Sequence, residues 1–419
     1  MADYLKLFGT HSQYEAYMGG GEIALPNVSH CISENEVHYT PIHDYSKDYF
    51  TIIAKESGTI TFAYTSGGTT DVFTSMLYKK NDGEWITTQY DPNNGNTINV
   101  SVNNGDKVQL KGINNAFYYY NESSDVEVRG HFTSTHTVDV EGNIMSLLYG
   151  DNFSDKRSLE GRVCAFYGLF SYDGNLQIVS AENLILPATT LEMDCYGSMF
   201  SNCASLTTAP ELPATTLANN CYGFMFSNCV NLTTAPDLPA TTLADFCYRF
   251  MFSGCTSLTT APELPATTLT WNCYSSMFSG CTSLTTAPNL PATTLADSCY
   301  SSMFYGCTSL TTAPEKLPAT TLAEQCYGYM FNGCTSLATA PELPATTLVD
   351  NCYENMFSGC TSLNYIKAMF TTTPSILYTR SWVSGVASTG TFVKNSAATW
   401  NVTGVSGIPT GWTVETATE

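Results

Sequence analysis

From Cys195 onward the apolar positions of this chain recur in one fixed order. The segment CYGSMFSNCASLTTAPELPATTL at Cys195 returns, barely altered, six more times. The first cysteines of the units are Cys195, Cys221, Cys247, Cys273, Cys299, Cys326 and Cys352; they are spaced by 26 residues, except for one spacing of 27 where Lys316 is inserted. A period of this size marks a solenoid, because a unit too small to bury its own apolar face stacks on its neighbours.

Within a unit the pattern predicts two elements. SLTTAPEL, short, Thr-rich and broken by Pro210, reads as an extended strand of a few residues with one backbone donor missing. Cys195 to Phe200 reads as a short helix or helical turn. On a helical wheel Cys195, Tyr196, Met199, Phe200 and Cys203 fall within one broad stripe. Leu206, Leu212 and Leu217 face the same core from the strand side, each worth ~1.5–3 kcal/mol when buried. Gly254, Gly280 or Gly306, with Asn202 and Asn228 in the same place, permits the turn back, since both residue types accept left-handed backbone.

Outside the repeats the pattern changes. Residues 1–45 form a leader, with one short helix expected over His11–Met18 and two short strands over Leu25–Pro41. Residues 46–137 carry seven short β-rich runs: YFTIIAKES, GTITFAYTS, SMLYKKN, EWITTQY, NTINVSVN, DKVQLKG and DVEVRGHFTS. Turn residues separate them without intervening helical patterns, which predicts an antiparallel β-sandwich. Residues 138–190 are a junction and an N-terminal capping repeat, since FYGLFSYDGNL (Phe166–Leu176) matches the repeat core without its cysteines. The solenoid proper spans 191–365. Residues 366–419, where the pattern dissolves around Trp382, Trp400 and Trp412, are expected as a β-rich C-terminal cap. The fold class is thus multidomain: an all-β antiparallel sandwich, then a solenoid built from short strands and short helical turns, with a β-rich C-terminal cap.

Charge narrows the partners. The formal net charge of −21 excludes nucleic acid, whose phosphates demand clustered Lys and Arg. No stretch approaches a membrane span, and the N-terminus lacks the basic start and apolar run of a signal peptide, so synthesis and folding in a cytoplasm are expected. No GxSxG, HExxH or phosphate-binding glycine loop occurs, and we expect neither an enzyme nor a cofactor. His38, His43 and Asp44 are read as structural hydrogen-bonding residues, and no metal site is expected.

Sixteen cysteines are present; fourteen form one C-x7-C pair per unit, the second members being Cys203, Cys229, Cys255, Cys281, Cys307, Cys334 and Cys360. On a helix the two members of a pair would lie ~12 Å apart, too far for a disulfide. Zinc would need a closer cysteine pair or a histidine, and none of the latter follows His136. The scaffold reading is two ladders of buried thiols acting as small hydrophobes, with inter-repeat disulfides as the alternative.

Because the units are nearly identical, the positions that vary between them are candidates for recognition. They are the three residues before Cys-Tyr, the two after it, and the residue after Met-Phe. Phe224, Phe246, Phe250, Trp271, Tyr305 and Tyr329 occupy such positions and are the candidate ligand-binding residues, with insertion between units as the alternative. A second row, Glu211, Asp237, Glu263, Asn289, Glu315 and Glu342, reads as a solvated edge, because one carboxylate per unit is too few for calcium. The paired threonines, Thr207-Thr208 through Thr311-Thr312, are expected as hydroxyl ladders.

A strand, a Leu-Pro corner and an aromatic–apolar–Cys turn in each unit resemble the leucine-rich repeats of BspA-like bacterial surface proteins, over about residues 160–365. Cys-Tyr stands where that family has Ile-Gly, and each unit is slightly long. The leader, LKLFGTHSQYEAY…LPNVSHCISENEVHYTP, resembles the N-termini of virion proteins from crAss-like phages of Bacteroidetes. Together the resemblances imply a virion surface protein, a head fibre or tail-associated protein made in the host cytoplasm. Residues 1–45 would contact other virion proteins, and the repeats would meet a host cell-surface glycan or protein. A bacterial BspA-like adhesin at the cell surface and a non-binding decoration protein are the alternatives. No coiled-coil heptads set an oligomer number, which leaves a homo-oligomer open.

Overall fold

Alternation of apolar and polar residues builds the first part of the chain as two largely antiparallel sheets. The structure, a computed structural model, describes residues 47–65, 73–88, 97–121, 126–171 and 176–417. The chain divides into two units, Met1–Asp48 and Tyr49–Glu419, and all described residues beyond Asp48 belong to the second. The leader and its expected helix and strands lie outside the described residues.

The strands in chain order are β1 (Phe50–Ala54), β2 (Gly58–Thr65), β3 (Phe73–Lys80), β4 (Ile86–Thr88), β5 (Thr97–Val102), β6 (Lys107–Asn114), β7 (Tyr118–Asn121), β8 (Val126–Ser134), β9 (Val138–Asn143) and β10 (Ile178–Ile185). Each of the seven predicted runs holds a strand. One sheet has the order β10-β9-β1-β6-β3-β4 and the other β5-β2-β8-β7. Val108 and Leu110 of β6 point inward in alternation with partly or fully exposed neighbours. The sheets share a core: Phe50 of β1 lies 5.6 Å from Phe132 of β8, ring to ring, and Phe62 of β2 lies 4.8 Å from Phe132.

That core runs on without a break. β10 pairs in parallel with β9, and Ser180 of β10 bridges to Thr208 in the first full repeat. Phe170 touches both Phe50 and Phe132 at 5.8 and 6.2 Å, and then packs at a tilt against Phe200 at 5.2 Å. From there one ring per coil continues through Phe226, Phe252, Phe278, Phe304, Phe331 and Phe357. A parallel column starts at Phe117, passes Phe166 and continues as seven buried tyrosines from Tyr196 to Tyr353. Both columns end on fully buried Trp382, at 6.2 Å from Tyr353 and 6.1 Å from Phe357.

The expected helical turn is absent. In its place each coil makes a ribbon of successive tight turns. The amides of Cys195, Gly197, Met199, Ser201 and Cys203 each donate to the carbonyl three residues earlier, at 3.0–3.2 Å. The intervening amides of Asp194, Tyr196, Ser198, Phe200 and Asn202 donate to the next coil instead, to carbonyls from Asn219 to Ser227 at 2.7–3.1 Å. A helix would keep all of these bonds internal. Moreover, Asp194, Ser198 and Asn202 have φ of 57°, 54° and 61°, so every fourth residue is left-handed and a right-handed helix cannot form. The buried set Cys195, Tyr196, Met199, Phe200 and Cys203 has period four, which a helical wheel accepts as readily as the ribbon does.

The expected strand is likewise reduced. Between Ile185 and Tyr365 the described chain pairs through isolated parallel bridges, such as Thr234 with Thr260 and Thr268 with Thr294. Two prolines per unit, as at Pro210 and Pro213, remove donors on either side and stop the ladder from extending. The threonine hydroxyls donate mostly to backbone of the preceding coil rather than to one another: Thr311 Oγ1 to the Thr285 carbonyl at 3.2 Å, Thr207 Oγ1 to that of Val179 at 2.9 Å.

Beyond the last cysteine pair the coiling continues in other residues. Thr339 bridges to Tyr365, and β11 (Tyr365–Ala368), β12 (Thr391–Lys394) and β13 (Thr413–Thr416) form a parallel sheet. Asn355, Phe357 and Gly359 donate to Arg380, Trp382 and Ser384, so the turn ribbon also gains a further coil. The three tryptophans are buried, each with its indole N–H on a backbone carbonyl: Trp382 on Gly407, Trp400 on Phe370, Trp412 on Ala387.

Candidate ligand-binding surface

Three left-handed positions per coil create three rows along the outside of the solenoid. One row holds Asp194, Asn220, Phe246, Asn272, Ser298, Gln325 and Asn351, directly before the first cysteine of each unit. A second holds Ser198, Phe224, Phe250, Ser276, Ser302, Tyr329 and Asn355. The third holds Asn202 and Asn228, then glycine in every later coil. Asn, Asp, Gly and small polar residues suit this backbone; a bulky ring in it carries a penalty of about 1–2 kcal/mol.

Four candidate residues break that rule: Phe224, Phe246, Phe250 and Tyr329 have φ of 58°, 60°, 55° and 58°. The first three sit in adjacent coils and come together. The Phe224 and Phe250 rings stack at 4.8 Å and 10°. Phe246 meets Trp271 edge to face at 4.6 Å and 62°. The backbone holds this arrangement in register, since the Phe224 amide donates to the Arg249 carbonyl at 2.8 Å and the Phe246 amide to the Trp271 carbonyl at 3.0 Å. The Trp271 amide in turn donates to Asp245 Oδ1 at 3.0 Å. Trp271 is 49% exposed, so this large apolar ring faces solvent.

Sequence reasoning passed over Arg249, at the centre of the group. Its guanidinium carbon lies 5.0 Å from the Phe250 ring centre, 5.5 Å from Phe246 and 5.9 Å from Phe224. Its Nε is buried without a hydrogen-bond partner, and it makes no ion pair among the described residues. The signal was legible, because Arg249 is the one Lys or Arg between Arg162 and Lys316.

The other two candidates stand apart. Tyr305 is exposed and makes no ring contact with the cluster. Tyr329 donates its hydroxyl to Glu354 Oε1 at 3.3 Å, and Glu354 also meets Arg380 at 3.4 Å. Burial, reinforced by the Glu354 charge, raises the Tyr329 pKa. The acidic row is exposed from Glu211 to Glu315, and Glu342 pairs with Lys367 at 3.0 Å.

All fourteen repeat cysteines are buried free thiols in this structure. The second member of each pair has a partner: Cys229 Sγ donates to the Phe200 carbonyl, Cys255 to Phe226 and Cys281 to Phe252, each at 3.1 Å. Burial pushes Cys195, Cys255, Cys273 and Cys307 up to about 12, which leaves these thiols protonated and unreactive near neutrality. No group of three or more His, Cys, Asp or Glu among the described residues is placed to hold a metal ion.

Residues 177–311 and 274–377 match the family described as BspA type leucine rich repeat region, in six copies. Over those residues the coils are similar to leucine-rich repeats of the BspA type. No curated protein matches the chain. Among solved structures, a leucine-rich repeat protein from Bacteroides ovatus is similar at 18% identity, covering 72% of this chain and 88% of its own, with a TM-score of 0.28.

Proposed function

We propose that this is an attachment protein whose repeat array presents the Phe224, Phe246, Phe250 and Trp271 cluster to a glycan or protein on another surface. The observation that carries this reading is the backbone of the three phenylalanines. Neighbouring coils use Asn or Ser at the same places, so stability alone gives no reason for rings there. Exposed aromatic faces are suited to gripping sugar rings or a protein loop. The array acts by binding, and no reaction is assigned to it.

For the carrier, the resemblance of the leader to crAss-like virion proteins supports a phage particle, with residues 1–45 docked on it and the two N-terminal sheets serving as a sandwich-like spacer. The BspA-type match favours the second reading, an adhesin on a bacterial surface. Mass spectrometry of purified particles and of bacterial surface fractions separates the two. Attachment itself is tested by binding of the labelled full chain to intact Bacteroidetes cells. Saturable binding that Trp271→Ala weakens, with the melting temperature kept, is expected. Equal binding by Trp271→Ala and by the double variant Phe224→Ser/Phe250→Ser would remove the cluster from the site. Absence of binding to every strain would leave the decoration protein as the better reading.

A further inference from the structure

The charge at the aromatic cluster has no ion-pair partner among the described residues. The chain carries a net charge of −21, yet the single cation between Arg162 and Lys316 stands among three phenyl rings. A guanidinium in an acidic protein normally finds a carboxylate. Asp245, the carboxylate nearest in sequence, accepts the Trp271 amide through Oδ1, and Arg249 makes no ion pair among the described residues. The Arg249 Nε is buried and unpartnered. The rings hold the planar cation in place without neutralising it, which leaves its charge to be met from outside.

We infer, building on the attachment reading above, that the cluster takes an anionic sugar. The carboxylate or sulfate of that sugar pairs with Arg249 while its ring face lies on Trp271. The chemistry divides the work. Trp271, 49% exposed, supplies a face for the C–H side of a pyranose, and the stacked Phe224 and Phe250 rings, at 4.8 Å and 10°, support Arg249 beside it. A guanidinium forms a forked, charge-assisted bond to a carboxylate or sulfate, and a neutral sugar gives it no such partner. Repulsion from the acidic remainder of the chain is screened beyond about 8 Å at physiological salt, so it does not prevent contact at Arg249. A polyanion without a stacking ring gains only half of the arrangement.

The test measures binding of the full chain to polygalacturonate, dextran sulfate and neutral dextran, with Arg249→Gln, Arg249→Lys and Phe224→Ser/Phe250→Ser as variants. Wild type is expected to bind polygalacturonate, dextran sulfate or both, and whichever binds tells carboxylate from sulfate. Neutral dextran should not bind. Arg249→Gln should lose about tenfold or more in affinity, and Arg249→Lys should fall between the two. Affinity of the wild type should drop as NaCl rises, a measurement that needs no variant to fold. Binding to neutral dextran alone, binding to no anionic member, or full binding by Arg249→Gln overturns the inference. If Arg249→Gln binds fully while Phe224→Ser/Phe250→Ser does not, the site stands and its charge preference falls. If both variants bind fully, the aromatic cluster itself is not the site.

Discussion

Phe224 and Phe250 stack face to face across two coils, 4.8 Å apart and 10° from parallel, and both do so from left-handed backbone. The two facts belong together. A phenylalanine in this region is disfavoured by about 1–2 kcal/mol. An aromatic pair returns about 0.5–1.5 kcal/mol and a nearby cation about 0.5–1 kcal/mol more. The terms are of similar size, so the rings are tolerated in the solenoid without adding to its stability.

Replacing both rings by the residue found at Ser198, Ser276 and Ser302 should therefore leave stability almost unchanged. We expect Phe224→Ser/Phe250→Ser to unfold within about 1 kcal/mol of the wild type while ligand binding is lost. Thermal melts beside the binding assay check this. A large loss of stability would show that the pair is core.

The third left-handed row should obey a stricter rule. Gly306 has a φ of 70° and open space around a hypothetical Cβ, so any penalty there comes from backbone alone. Gly306→Ala should destabilise by about 1 kcal/mol. Gly306→Asn should cost less, since Asn202 and Asn228 hold the same position. Urea midpoints of the two variants decide it, and equal midpoints would refute the left-handed assignment.

How much of this was legible beforehand depended on which signal each element left. The repeat spacing exposed the solenoid, and the buried stripe from Cys195 to Cys203 was read correctly as a stripe. Its period of four was mistaken for a helix because wheel geometry does not separate the two. The left-handed rows were readable only in part: Gly254 and Asn228 were assigned to a turn, but Asn220 and Ser198 looked merely variable. The coils after Leu363 were invisible, since Trp382 replaces Phe and Tyr and β12 shares no residues with the Thr-Pro segment. The aromatic candidates followed from variation between units, yet only proximity in space separated Phe246 and Trp271 from Tyr305. Arg249 could have been found by counting charges along the repeats.

The two cysteine ladders should respond differently to serine. Cys255 Sγ already donates to the Phe226 carbonyl at 3.1 Å, so a serine hydroxyl there inherits a partner. Cys247 is fully buried, and its thiol donates no hydrogen bond to a carbonyl among the described residues. Cys247→Ser should lose about 1–3 kcal/mol for an unsatisfied hydroxyl, and Cys255→Ser clearly less. Chemical denaturation of both variants measures the difference, and the reverse order would reassign the ladders.

Alkali should unfold this protein through groups sealed inside the coils. Burial lifts thiols such as Cys195, Cys273, Cys326 and Cys360 from an ordinary 9.0 to about 12. The column tyrosines, Tyr222 and Tyr300 among them, are held well above their ordinary 10.0 for the same reason. Because these pKa values are higher in the folded state, the unfolded chain releases its protons first as pH rises. The stability they contribute is complete below about pH 9 and declines between there and about pH 12, first through the thiols and then through the tyrosines. Melting temperature should accordingly be insensitive to these groups from pH 7 to 8.5 and fall steeply above pH 9. Thiol labelling should follow the same course, slow in the native protein at pH 8 and complete on unfolding. A melting temperature that holds through pH 10.5, or prompt labelling of the repeat cysteines at pH 8, would mean that the thiols are not sealed inside the coils.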